Sequence, residues 1–318
     1  MSRGRATVEV SNRAGLFNTK KRRSINIKNS VRTIGEAFGL RVCSDIPLQL
    51  LPERTGDTKD AIQVTEGTVD FPEGEDQNVV SQDNSLYFRQ TGVGAFRIEN
   101  DVVVVDRSTA TTDRSVATAV LGRVINILLY QRGHFLLHGS VAAVDGAGVA
   151  FIGFSGSGKS SLAAALYADG HRVLADDTVV VSFENSPLVV PSFPWLKLTG
   201  WTLKTLELAD DVDCDRERWY YIGDRFRRSK IPLESIYLVE EHQGGRVPAV
   251  EDINSATTME KILQHSAGED LVRATETERR HFRECAQVAE AVDVKRLYRP
   301  DDLLQLPELA RTVENALK

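Results

Sequence analysis

The sequence has few cysteines, no long apolar run and no excess of positive charge, and each absence excludes a class of protein. Only three of its 318 residues are cysteines, with no Cys-x-x-Cys spacing, so neither a disulfide framework nor a zinc site is expected. No run approaches the roughly 18 apolar residues of a membrane-spanning helix, and the N-terminus has no apolar signal segment. The net charge of -6 disfavours a general nucleic-acid binder. We therefore expect a cytoplasmic protein that binds neither membranes nor nucleic acids.

The length predicts two domains, and a hydrophobic fraction of 42% is typical of a globular protein. Residues 1–33 are strongly basic and lack an apolar period, which predicts a flexible tail; an arm that docks on an acidic partner is the alternative. Residues 34–110 are predicted to form a small, mostly β domain, in which the acidic stretch 52–76 is a loop. Its predicted strands are 40–43, 85–89, 94–98 and 101–105.

The larger predicted domain covers residues 111–318 and has an α/β pattern. Apolar residues at helical spacing predict a helix over 114–130. An apolar run of strand length, 148–152, precedes a glycine-rich loop and a helix over 160–169 that ends before Gly170. Further strands are predicted over 172–177, 178–183 and 230–239, and the tail from residue 256 is predicted to be helical.

The glycine-rich loop, Gly153-Phe-Ser-Gly-Ser-Gly-Lys-Ser160, fits the phosphate-binding consensus Gly-x4-Gly-Lys-Ser between a strand and a helix. Its glycines let backbone N–H groups surround a phosphate at the positive end of the helix. Lys159 then reaches the β- and γ-phosphates, and Ser160 offers its hydroxyl to Mg²⁺. The residues predicted to bind ATP are Gly153, Ser155, Gly156, Ser157, Gly158, Lys159, Ser160 and Ser161.

Two adjacent aspartates, Asp176 and Asp177, close an apolar strand 17 residues after Lys159. In phosphate-loop enzymes a carboxylate at the end of a neighbouring strand serves the magnesium shell, and an acceptor hydroxyl needs a base. The two aspartates can divide those tasks, although a solvated turn or helix cap is the alternative. His138 ends another apolar strand, where a hydrogen-bonded core histidine is the alternative to a catalytic one.

A basic stretch, 225–230, follows about 70 residues after Lys159. As a loop that closes over the triphosphate it would supply charge to the transition state, and Arg228 and Lys230 are the candidates. A solvated turn is the alternative.

His138-Gly, the loop and Gly170-His-Arg-Val-Leu-Ala-Asp-Asp177 together resemble the catalytic core of the HPr kinase/phosphorylase family, bacterial serine kinases that modify a phosphocarrier protein. The resemblance implies a phosphate-loop core related to that of phosphoenolpyruvate carboxykinase, the use of ATP and Mg²⁺, and a homo-oligomer. It also implies that Asp176 is the base and that Lys159 clamps the phosphates. By the same resemblance, Asp177 and Ser160 are the magnesium ligands, and His138 orients or tunes the base.

The sequence departs from that family at two places. The family's Glu-Ile-Arg-Gly-type signature corresponds here to residues 191–200, which contain neither Glu nor Arg, and Ser161 replaces the family's usual Glu. With Ser44-Asp-Ile-Pro-Leu48, the pattern is more similar to HPr kinase-like proteins encoded beside peptide-modification genes, including kinases of lasso-peptide precursors. We therefore expect an ATP-dependent serine kinase of a protein or peptide. The alternatives are an ATP-binding regulator without phosphotransfer, a kinase of a small molecule such as free serine, and carboxykinase chemistry.

Overall fold

The computed structural model describes residues 33–54, 58, 60–72, 78–109, 111–210, 212–241 and 247–318. Residues 31–318 form one compact unit. The basic tail predicted over residues 1–33 lies outside the described residues except for Thr33. The fold is mixed α/β, as predicted from the sequence. The domain limits at 34–110 and 111–318 stay a prediction.

The N-terminal part of this unit is a seven-stranded sheet in the order β1-β2-β3-β7-β6-β5-β4, with parallel β2/β3 and β3/β7 pairs. Its strands are β1 Thr33–Ala37, β2 Leu40–Ser44, β3 Ile62–Glu66, β4 Val79–Gln82, β5 Ser85–Gln90, β6 Gly94–Glu99 and β7 Val102–Arg107. The prediction of a loop over 52–76 is wrong for β3, because Ile62 and Val64 alternate inward and are buried despite the acidic composition around them.

A helix follows the sheet and contains one irregular turn. It consists of α1 Asp113–Ala119, a π-helical turn Val120–Val124 and α2 Ile125–Gln131. The Thr112 hydroxyl caps its start by accepting a hydrogen bond from the Ser115 N–H at 3.1 Å. The predicted helix over 114–130 is therefore confirmed, but the i→i+5 turn in its middle was not predicted. Such turns are rare and frequently mark functional sites.

The second sheet has eight strands, five of which pair in a closed ring: β8, β11, β12, β15 and β9. Its strands are β8 Phe135–Val144, β9 Ala147–Ile152, β10 Arg172–Ala175, β11 Thr178–Phe183, β12 Pro187–Val190, β15 Ile231–Glu241, β16 Ala249–Asp252 and β17 Asp293–Arg299. A separate antiparallel hairpin comprises β13 Trp195–Thr199 and β14 Glu217–Tyr221.

Helices pack on this sheet, and buried apolar side chains form a core on both of its faces. The helices are α3 Lys159–Ala168, α4 Gly200–Thr205, α5 Ser255–Gln264, α6 Glu269–Ala274, α7 Glu278–Ala291 and α8 Leu306–Ala316, with short 3-10 helices at Gly223–Arg225 and Leu303–Gln305. The helical tail predicted from residue 256 is confirmed for α5, α6, α7 and α8, but β17 interrupts it between α7 and α8. β17 pairs in parallel with the buried β15, which satisfies its backbone polar groups.

The parallel strands β9, β15 and β17 end at the same edge of the sheet. In α/β sheets, ligands bind in the crevice beyond the carboxyl ends of such strands. The glycine-rich loop follows β9 directly and therefore lies at this edge. Within the described part of the chain, no helix combines the length and apolar character that a membrane crossing requires.

Candidate functional site

The glycine-rich loop connects buried β9 to α3 by a backbone path that only glycine follows easily. Gly153 has a φ of 151°, and a Cβ there would lie 2.7 Å from both the Val239 carbonyl oxygen and the Ser157 hydroxyl. Gly158, the residue just before α3, has a φ of 94°, in the left-handed region that favours glycine. The loop is therefore held in a tight conformation that a side chain at either position would disrupt.

The N-terminus of α3 has no side-chain cap and no acidic residue in its first turn. The first N–H groups of a helix have no partner within the helix, and the helix dipole places partial positive charge there. Ser157 Oγ is buried beside them without a hydrogen-bond partner among the described residues. This end of α3 therefore offers unfilled donors to an anion, as a phosphate-binding loop requires.

Lys159, the first residue of α3, is buried and folds back over its own loop. Its Nζ donates hydrogen bonds to the carbonyl oxygens of Gly153 and Phe154, at 2.9 and 2.8 Å. Burial lowers the pKa of the ammonium group, and the nearby carboxylates of Asp176 and Asp177 act in the opposite direction. Because both of these hydrogen-bond acceptors are neutral carbonyls, the positive charge of Lys159 is available to pair with a phosphate.

Asp176 is a buried carboxylate at the junction of β10 and β11. The Ser140 hydroxyl donates to its Oδ1 at 2.6 Å, and the Lys197 backbone N–H donates to its Oδ2 at 2.8 Å. Burial raises the pKa of the Asp176 carboxyl, while these two bonds and a hydrogen bond from the Ser160 side chain lower it. The side chain is thus fixed from several sides and touches the residue that follows Lys159.

Asp177 differs from its neighbour, because its side chain is 58% exposed. Its φ of 68° is left-handed and turns the chain sharply between the two strands. Its carbonyl oxygen accepts hydrogen bonds from the Gly139 N–H at 3.2 Å and from His138 Nδ1 at 2.9 Å. His138 Nδ1 also lies 3.7 Å from Asp177 Oδ1. The predicted histidine therefore contacts Asp177 rather than Asp176.

The predicted loop serines occupy different surroundings. Ser155 is exposed at the tip of the loop, together with Gly156, and Ser160 contacts Asp176. The Ser161 hydroxyl lies 2.9 Å from Thr202 Oγ1 of α4, so it packs between two helices. Oxygen ligands suit Mg²⁺, and the exposed carboxylate of Asp177 and the Ser160 hydroxyl are the groups here that could hold it.

The structure does not bring the basic stretch to the loop. Lys230 forms an ion pair with Glu184 at 3.0 Å, beyond the end of β11 opposite Asp177. Arg228 lies over the Phe226 ring, with its guanidinium carbon 5.6 Å from the ring centre. Arg225 donates to the Tyr167 carbonyl near the C-terminal end of α3, whereas the loop precedes the other end. A role for Arg228 and Lys230 toward ATP stays a prediction.

His265, just past the end of α5, was missed by the sequence analysis. Its carbonyl oxygen accepts a hydrogen bond from the His138 N–H at 2.7 Å, and its ring packs edge-on against Phe154 with 5.1 Å between centres. His265 is only 4% exposed, and its Nε2 is buried without a partner in the described part of the chain. Burial, with the charges of Lys159, Lys261 and His138, lowers the pKa of His265 to about 4. A neutral imidazole therefore abuts the loop.

Arg299, the last residue of β17, was also missed. Its Nε donates to the Ser157 carbonyl oxygen at 2.8 Å, and its Nη2 lies 3.3 Å from Glu241 Oε2 at the end of β15. It clamps the loop from a strand that the sequence analysis assigned to a helical tail. The change from an apolar-periodic helix to Val292-Asp-Val294 and the following Pro300 were the available signals for a strand there.

Comparisons with known proteins match the segment that carries most of these residues. Residues 132–196 match the family model of the HPr Serine kinase C-terminal domain. The HPr kinase/phosphorylase of Prosthecochloris aestuarii is 46% identical over 55 residues, which cover 17% of this chain and 16% of that protein. The HPr kinase/phosphorylase of Bacillus licheniformis is 43% identical over 80 residues, covering 25% and 26% respectively. The resemblance predicted from the sequence is therefore confirmed, and this segment is HPr kinase-like.

The similarity is limited in extent. The chain spans only 16% and 26% of the lengths of those two relatives. Among solved structures, one match is the Hpr(Ser) kinase/phosphatase from Coxiella burnetii, with 16% identity and a TM-score of 0.29. The match covers 57% of this chain and 95% of the Coxiella chain. A score that low supports no conclusion about the fold. The matched segment contains His138, the loop and the Asp pair, whereas His265 and Arg299 lie outside it.

Proposed function

We propose that this chain is an ATP-dependent serine kinase with a phosphate-loop core, which transfers the γ-phosphate of ATP to a serine hydroxyl of a protein or peptide in the cytoplasm. The observation that supports it is the convergence of Lys159 and Ser160 on the Asp176–Asp177 pair at the end of a phosphate-loop helix. The HPr kinase-like segment covers all of these residues.

In this proposal the loop and the N-terminus of α3 hold the triphosphate, and Lys159 exchanges its two carbonyl partners for phosphate oxygens. Ser160 and Asp177 would hold Mg²⁺, which neutralises charge on the transferring phosphoryl group. His138, hydrogen-bonded to the Asp177 carbonyl, positions that ligand rather than the base.

Asp176 is the proposed base. The acceptor oxygen forms a bond to the γ-phosphorus, the bond to the bridging oxygen of ADP breaks, and the hydroxyl proton passes to the Asp176 carboxylate. The two Asp176 oxygens accept three hydrogen bonds from the protein, from Ser140, Lys197 and Ser160. A carboxylate has about four acceptor positions, so one remains for the acceptor hydroxyl.

The proposed acceptor class is broader than HPr, the protein for which the relatives are named. HPr is the substrate in those names, but residues 191–200 lack the Glu and Arg of the family signature, and part of this stretch forms β13 of the hairpin. We therefore propose a protein or peptide serine without assigning HPr or a reverse phosphorylase reaction. A homo-oligomer is part of the proposal only by resemblance.

Incubation with labelled ATP and Mg²⁺ tests the function. HPr, peptides encoded beside the gene, and free serine are supplied in separate reactions, and melting temperature is measured with and without MgATP. A ligand that binds only the native state raises the melting temperature. We expect that shift together with label in a protein or peptide. Label in free serine alone would replace the acceptor class, and a shift without transfer to any acceptor would favour an ATP-binding regulator.

A further inference from the structure

A cavity of about 70 Å³ opens beside the Asp pair, between the N-terminal sheet, the π-helical turn and the β13–β14 hairpin. Asp176 and Asp177 line it, and most of the remaining wall is apolar, including Leu50, Leu121 and Trp219. Because Asp176 also contacts Ser160 of the loop, this carboxylate joins the cavity to the proposed phosphate site. A group in the cavity would therefore lie beside the proposed base.

Three aromatic rings form a continuous part of this wall. The Phe38 ring lies 5.9 Å from the Phe193 ring, which lies 6.0 Å from the Trp219 ring. Phe38 comes from the turn between β1 and β2, and its N–H donates to the Ser192 carbonyl oxygen at 3.1 Å. The N-terminal sheet thus contributes directly to the surroundings of the Asp pair.

The backbone is irregular on two sides of the cavity. Phe38 has a φ of 54°, which is rare for a bulky residue and costs about 1–3 kcal/mol. On the opposite element, Leu121 and Gly122 belong to the π-helical turn. Strained residues and π-turns cluster at functional sites. Because the strained Phe38 and the π-helical turn both line one small cavity, we infer that this cavity is a functional site.

The size of the cavity limits its occupant. A volume of 70 Å³ is room for about two waters at liquid density. A serine side chain has two non-hydrogen atoms beyond Cα, whereas the phenol of tyrosine is far larger. The wall also carries the carboxylates of Asp176 and Asp177, and the cation that lines it, Lys197, is already paired with Glu217 at 2.6 Å. The carboxylate of free serine would therefore be placed beside two like charges without a free cation among the lining residues, which is costly.

We propose that this cavity receives the acceptor side chain, and that the acceptor is a serine of a polypeptide whose neighbouring residue is apolar. This inference rests on the kinase function proposed above. The hydroxyl approaches Asp176, and the apolar neighbour covers the half-buried Trp219 at the cavity wall. Threonine is accepted less well than serine, and tyrosine is excluded.

Gly122 offers a direct test, because a Cβ there would meet no atom within 4 Å and the residue lines the cavity. Gly122→Leu fills the space, Gly122→Ala fills it partly, and Ala168→Leu introduces a leucine at an exposed helical position as the control. Overfilling a defined site typically loses about tenfold or more in binding. We expect KM for the acceptor to rise in the order wild type, Gly122→Ala, Gly122→Leu, with the melting-temperature shift by MgATP unchanged in all three.

The acceptors are peptide arrays with a central serine, threonine or tyrosine and randomised neighbours, each incubated with labelled ATP. We expect labelling of the serine array with apolar residues selected beside the serine, and little labelling of the tyrosine array. Selection of charged neighbours, labelling of tyrosine, or an unchanged KM in folded Gly122→Leu overturns the acceptor site. If Gly122→Leu does not fold, the smaller Gly122→Ala decides.

The two levels of proposal fail separately in this experiment. If HPr or a peptide is labelled but the serine array shows no preference for apolar neighbours, the acceptor cavity is wrong and the kinase function stands. If no acceptor is labelled, or if MgATP gives no shift, the kinase function itself fails. Ala168→Leu must behave as wild type; a matching KM increase in this variant would attribute the Gly122 effects to added bulk in general and overturn the cavity assignment.

Discussion

Two charged regions of the chain differ in how their charges are held. Around the loop, Lys159 and Asp176 are buried, have few charged partners and carry shifted pKa values. In the basic stretch, Lys230 pairs with Glu184, and both side chains are about half exposed. Transferring a charged group from water into the protein interior is costly, so buried charged groups are found mainly at functional sites. Exposed ion pairs contribute little to stability. The comparison predicts large functional effects in the first region and small ones in the second.

Lys159→Ala should have the largest effect. Removing a preorganised positive group from the proposed phosphate site should lower phosphoryl transfer by about 10²- to 10³-fold or more. Initial rates with labelled ATP measure the loss. Lys230→Ala is the matched control in the exposed region, with an expected stability change within about 1 kcal/mol and an unchanged rate. Similar losses in both variants would instead support the predicted role of Lys230 toward the triphosphate.

Asp176→Asn should have the second-largest effect on phosphoryl transfer, because it keeps the shape of the side chain but removes the base. We expect MgATP still to raise the melting temperature, while transfer falls by about 10²- to 10⁴-fold. Asp177→Asn is the neighbouring control, and it should instead raise the Mg²⁺ concentration needed for half-maximal transfer. Undiminished transfer by Asp176→Asn would remove the assigned base.

Arg299→Ala should have a moderate effect, because it removes the clamp on the Ser157 carbonyl without touching the proposed transferring phosphate. Hydrogen bonds from charged groups contribute about 1.5–3 kcal/mol, so MgATP binding should weaken by about tenfold or more. Titration calorimetry measures it. Arg296→Ala, on the same strand and ion-paired with Glu240 at 3.0 Å, is the control. Equal weakening in both variants would contradict a specific clamp.

The smallest effect concerns stability and pH. Unfolded His265 takes up a proton near its ordinary pKa of 6.5, but folded His265 does so only near 4. Between these values the unfolded state binds more protons, so stability falls as pH decreases from 7 to 5, by about 1–2 kcal/mol from this residue. His134 and His281, whose pKa values are also lowered, act in the same direction. Denaturant unfolding of His265→Asn at both pH values should show a smaller loss; an equal loss would contradict this assignment.

The sequence predicted those parts of the candidate site that lie close together along the chain. Lys159, the Asp pair and His138 follow strands and a helix whose apolar patterns are regular, and they carry a recognisable consensus. Arg299 and His265 were not predictable in this way, because their positions depend on strand pairing between distant segments. Two strands were not predicted because their composition does not indicate strand pairing. β3 lies in an acidic stretch, and the sequence of β17 is rich in charged residues.

The clamp on the loop has a consequence for synthesis on the ribosome. Arg299 forms this clamp by donating a hydrogen bond to the Ser157 carbonyl oxygen, and the two residues are 142 positions apart in the chain. β9 and the loop are translated long before β17 can pair beside β15. A nascent chain that has not yet reached residue 299 therefore has its glycine-rich loop without the clamp. If the loop binds ATP as proposed, its full affinity is expected only after residue 299 has been made.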